Sequence, residues 1–175
     1  MSLSNISIFL VVVTLCCLSV LVRYPRDKRT NVRSRVNGKM YKVLPNGDPQ
    51  QKADTLASIE MALFMVMRKV GCRKHMNLSE SVYSTKDTAY TLNKKDIHLC
   101  MRYSDRNTLM YVALHEAAHV CSQDIGHTNK FWSLFSTMLH TAVKMGVYKY
   151  QNYQLHPEPY CGTMITGSPY TCHDC

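Results

Sequence analysis

Five consecutive residues, His115-Glu116-Ala117-Ala118-His119, carry the clearest chemistry in the chain. On an α-helix, positions i and i+4 share one face, so both imidazoles can reach a single metal ion. The carboxylate between them is turned about 100° away, close enough to hold a water on that metal without taking a ligand place. Zinc with three protein ligands and one open position lowers the pKa of a water to about 7, and a carboxylate base then deprotonates it for attack on a carbonyl.

A helix has to present these residues, and the surrounding sequence supplies one. Asn107-Thr108 reads as its start, and the apolar run 109–114 leads straight into HEAAH. Met110, Leu114, Ala117, Ala118 and Cys121 fall on one face at helical spacing, with Thr108, Tyr111, His115 and His119 on the other. The third ligand has three candidates. His127 follows Gly126, a residue able to end the helix and turn the chain back towards the metal. Asp124 stands closer in sequence, and His140 lies on the next helix; the turn favours His127.

The run 97–102 ending in Met101-Arg102, the segment 107–119 and the sequence Gly126-His127-Thr128-Asn129-Lys130-Phe131-Trp132 together resemble the WLM and SprT-type zinc metallopeptidases. The style is closest to the small WLM-like proteins of large nucleocytoplasmic DNA viruses, and Tyr160-Cys161-Gly162 matches their C-terminal pattern. The resemblance spans roughly residues 41–170. It implies a zincin-like fold, His115, His119 and His127 as zinc ligands, Glu116 as catalytic base, and an edge strand at 97–101 along which an extended peptide could pair.

Residues 1–22 contain no charged side chain, and the stretch from Leu3 is almost wholly apolar for about 20 residues, enough to cross ~30 Å of hydrocarbon. An uncleaved anchor is expected rather than a signal peptide, since no Lys or Arg precedes the run. Eight basic residues follow between Arg23 and Lys42 against Asp27 alone, so this segment holds +7 of the chain's formal +9. By the positive-inside rule, the C-terminal domain belongs on the cytosolic side or in a virion interior, with the basic segment on anionic lipid rather than nucleic acid. The expected organisation is an anchor at 1–22, a basic juxtamembrane linker at 23–42 and one domain at 43–175.

Within that domain Asp48-Pro49 opens a helix and Gly71 stops it, with Leu56, Ile59, Leu63, Val66, Met67 and Val70 as its stripe. Strands are expected at 88–92 and 97–101, and a second amphipathic helix runs from Phe131 to Gly146. The fold class is therefore α+β: an active-site helix, a small antiparallel sheet and flanking helices, preceded by a transmembrane helix. Of eight cysteines, Cys100 and Cys121 read as apolar core residues, while Cys161, Cys172 and Cys175 cluster near the end as a disulfide or free thiols. A Tyr or His that stabilises an oxyanion is needed, but Tyr148, Tyr150, Tyr153, His156 and Tyr160 offer no assignment.

Two functions of different kinds compete. One is a membrane-anchored zinc endopeptidase acting on a protein or peptide substrate through a water activated by Glu116. The other is a non-enzymatic membrane or virion component with a structural zinc site. Glu116 favours the enzyme, because a structural site needs no base beside its ligands.

Overall fold

The computed structural model describes residues 27–82, 89–102 and 105–170. Among them, three helices and three small sheets form an α+β domain. Helix α1 (Pro49–Lys69) begins where Asp48 accepts the Gln51 backbone N–H, with proline at the first helical position. Its buried Leu56, Ile59, Leu63, Val66 and Met67 face the core, and Gly71 leaves the helix with φ +82°. Helix α2 (Arg106–Cys121) carries the HEAAH residues, and helix α3 (Asn129–Lys144) follows from the Thr128 N-cap.

The α2 start lies slightly earlier than expected. Asp105 is the N-cap, accepting the N–H groups of Asn107 and Thr108 at 2.7 and 3.1 Å. Nor is the helix two-faced. Thr108 and Tyr111, expected on the open side, are as buried as the apolar face, because α1, α3 and the sheet surround the helix. Beyond its exposed first turn at Arg106, the helix approaches solvent only at His115, His119 and Cys121.

Strands β3 (Asn77–Glu80), β4 (Ala89–Leu92) and β5 (Asp96–Leu99) form the main sheet in the order β3-β5-β4. Strand β5 pairs in parallel with β3 and antiparallel with β4, so the sheet is mixed rather than antiparallel. The 97–101 segment is consequently no edge: β5 is central, and β4 forms the border beside α2. Strands β1 (Thr30–Arg33) and β2 (Met40–Val43) make a hairpin, as do β6 (Glu158–Tyr160) and β7 (Thr163–Ile165).

The first hairpin corrects the expected linker at 23–42. Tyr41 and Val43 alternate inward into the core, leaving Met40 and Lys42 outward, and Tyr41 donates a 2.6 Å hydrogen bond to Glu60 on α1. This basic stretch is thus part of the domain from its first described residues. The single-span part of the expected fold is also corrected. No helix among the described residues is long and apolar enough to cross a membrane, and the apolar run at 1–22 lies outside them.

Two disulfides revise the cysteine reading. Cys72 bonds Cys121, joining the exit of α1 to the last residue of α2, and Cys100 bonds Cys161, joining the end of β5 to the second hairpin. Cys172 and Cys175 lie outside the described residues. Disulfides persist in oxidising surroundings, which runs against the cytosolic placement drawn from the basic segment.

Candidate metal centre

His115 and His119 project from one face of α2, and His127 returns to them from the loop between α2 and α3. Gly126, at φ +78°, makes that return, and His127 stands immediately before the Thr128 cap of α3. The Nε2 atom of His127 lies 3.0 Å from that of His115 and 3.2 Å from that of His119. Tetrahedral zinc–imidazole bonds of 2.0–2.1 Å separate ligand nitrogens by about 3.3 Å, close to these two distances, and all three ligand atoms lie within 4.8 Å of one another. The three side chains can therefore hold a metal ion.

Aromatic side chains from α3 back the imidazoles. Phe131 stacks on His119 at 4.3 Å, Trp132 on His127 at 5.3 Å, and Phe135 meets His115 edge-on at 5.1 Å. Burial, with His119 and His127 adding to it, pushes the His115 pKa down to about 3. Burial, His127 and Lys94 hold His119 down to about 4. Both rings are thus neutral at physiological pH, as metal ligation requires.

Glu116 is not part of the trio. It is 6% exposed, and its Oε2 accepts a 2.7 Å hydrogen bond from the Thr91 hydroxyl on β4. Burial raises its carboxyl to about 7, with the Thr91 hydrogen bond opposing the rise. A carboxyl near that value suits proton transfer at neutral pH. Glu116 and the three histidines line one cleft of about 520 Å³, bordered by β4 on one side and by residues 124–127 on the other.

The other ligand candidates are engaged elsewhere. Asp124 lines the cleft, but its Oδ2 accepts from the Thr128 hydroxyl at 2.9 Å. His140 donates to the Ser136 carbonyl and stacks on Tyr170 at 4.1 Å. None of the five candidates for oxyanion stabilisation lines the cleft; Tyr148, Tyr153 and Tyr160 are core residues. Two concavities beside the start of α1, about 470 and 710 Å³, hold Arg102, Arg106 and Arg35 but no imidazole.

Two cleft residues have no signature in the sequence. Thr91 is one threonine in a short strand, and Lys94 is one of two lysines in the following turn. Their roles come from what faces them, which no local spacing reports.

No known protein family and no solved structure matches the chain. It is similar to an uncharacterized protein of Invertebrate iridescent virus 3, 52% identical over 66 residues, covering 34% of this chain and 42% of that one. An uncharacterized protein of Acanthamoeba polyphaga mimivirus is 35% identical over 99 residues, 53% of this chain and 50% of its own length. A third, from Invertebrate iridescent virus 6, is 41% identical over 68 residues, 34% of this chain and 38% of its own. The chain thus spans about half or less of these relatives. By this kinship it is a viral protein.

Proposed function

We propose that this chain is a zinc-dependent metallopeptidase of the WLM and SprT-like kind, hydrolysing peptide bonds in extended segments of protein. The observation that carries the reading is Glu116. It is a buried carboxyl that is not one of the converging ligands, yet it stands beside them in the same cleft and is held by Thr91. A purely structural metal site has no use for that arrangement.

His115, His119 and His127 would hold the zinc, leaving the cleft side open. Bound zinc supplies Lewis acidity, polarising the scissile carbonyl and acidifying a water. Glu116 takes the proton from the attacking water and returns it to the departing amine nitrogen. Strand β4, bordering the cleft and hydrogen-bonded to β5 along its other side, offers backbone groups to an extended substrate. This replaces 97–101 as the strand suited to that task. Such a substrate must be unfolded or flexible, because a folded segment keeps its own backbone groups paired.

The test is peptide hydrolysis by the zinc-loaded full-length chain across a broad unstructured peptide library, beside Glu116→Gln carrying the same zinc. Hydrolysis should fall at least ~10²-fold in the variant, the usual scale for loss of a general base. Equal rates in the two proteins would refute the mechanism, and zinc binding without hydrolysis in either would favour the structural alternative.

A further inference from the structure

We propose that Lys94 is a positioning residue for the third metal ligand, clamping the loop that carries His127 to the β4–β5 turn. This rests on reading the three imidazoles as a metal site. Asn93 and Lys94 both adopt left-handed backbone conformations, φ +52° and +51°, and Lys95 N–H closes the turn on the Leu92 carbonyl at 3.0 Å. Turns with positive φ at both central residues favour Asn-Gly, and a lysine in the second place is unfavourable there. The local chain gains nothing from Lys94, so its contribution has to come from further away.

Its ammonium reaches the far side of the cleft. Nζ donates to the Ser122 carbonyl at 2.9 Å and to the Asp124 carbonyl. Both carbonyls lie beyond the last turn of α2, where no helical N–H is available to pair with them. The two contacts grip the loop at its first and third residues, and at the other end Asp124 accepts from the Thr128 hydroxyl. His127 lies between these anchor points. A loop with Gly126 at its centre would otherwise sample other paths, and the imidazole must return to within about 3 Å of two fixed partners. Lys74 acts similarly one step earlier, donating to the Val120 carbonyl at 2.8 Å, but it holds the helix rather than the loop.

The same turn belongs to the hairpin whose β4 strand places Thr91 against Glu116. One hairpin therefore reaches both Glu116 and the His127 loop, through Thr91 near the end of β4 and Lys94 in the turn that follows it.

Zinc affinity, measured on the full-length chain by competition with a chromogenic chelator, tests the assignment. Lys94→Met should weaken zinc binding at least about tenfold, the usual scale when a group supporting a ligand is lost. Lys94→Gly suits the turn better and removes the same ammonium, so it should weaken zinc while leaving the melting temperature of the metal-free protein unchanged or higher. In a His127→Ala background, Lys94→Met should produce no further loss, since its target is gone. Wild-type affinity in both Lys94 variants would overturn the proposal, as would an equal loss with and without His127. A wild-type chain that takes up no zinc would overturn the metal site itself as well, whereas uptake unaffected by Lys94 overturns only the clamp.

Discussion

The Thr91 hydroxyl lies 2.7 Å from Glu116 Oε2 and 3.2 Å from the Glu116 carbonyl oxygen, tying the border strand of the sheet to the carboxyl beside the three converging imidazoles. A hydroxyl has one proton, so it can donate to the charged carboxylate or, when that carboxyl is protonated, accept from it and donate to the carbonyl instead. Thr91 can therefore remain bonded to Glu116 in either state.

Thr91→Val keeps the shape of the side chain and removes that bond. Because the bond lowers the Glu116 pKa, its loss should raise it. The acid limb of the kcat/KM profile for peptide hydrolysis should move to higher pH, with zinc content unchanged. An acid limb that stays in place would show that Thr91 does not hold the base.

Ligand substitutions should separate the three candidates for the third position. His115→Ala, His119→Ala and His127→Ala should each lose most bound zinc on dialysis against a mild chelator. Asp124→Asn and His140→Ala should retain it, since those side chains are occupied by Thr128 and Ser136. Metal analysis of the dialysed proteins reads the outcome directly, and zinc retained by His127→Ala would move the third ligand elsewhere.

Acid should destabilise the metal-free chain. His115 and His119 are held down to about 3 and about 4 from an ordinary value of 6.5. Between those limits the unfolded chain binds more protons than the folded one, so their contribution is lost as pH falls below 6.5. Glu116 runs the other way: raised from 4.5 to about 7, it costs stability as pH rises through that window. Two imidazoles outweigh one carboxyl between 4.5 and 6.5. The urea midpoint of metal-free protein should therefore drop on acidification across this range, and more steeply in Glu116→Gln. A flat or rising midpoint would contradict neutral, half-buried imidazoles.

Reduction should also weaken the fold. The two disulfides span sequence separations of 49 and 61 residues, and the chain-entropy argument gives each about 4 kcal/mol of stabilisation. Dithiothreitol or paired Cys→Ser changes at 72 and 121 should lower the Tm of the metal-free protein. Peptide mapping without reductant should recover Cys72 linked to Cys121 and Cys100 linked to Cys161; recovery of free thiols at these positions would remove the conflict with a cytosolic setting.

The local chemistry was legible in the sequence wherever it depended on neighbours along the chain. The i, i+4 spacing of His115 and His119, the Asp48-Pro49 start and the glycine stops at 71 and 146 follow from helix geometry and backbone sterics, which act within a few residues, whereas α2 ends at Cys121 and Gly126 turns the loop beyond it. The turn at Gly126 points to His127 as the third imidazole, and the fold brings its Nε2 to the other two. Tertiary structure decided the remainder. Central and border strands differ only in what pairs beside them, so β4 and β5 exchanged the roles expected for 97–101. The basic segment read as a linker because charge dominates its composition, while Tyr41 and Val43 bury only when the hairpin closes on α1. Cysteine partners, the Thr91 contact and the reach of Lys94 across the cleft are distances between segments far apart in sequence. Chain folding sets those distances, and no local spacing encodes them.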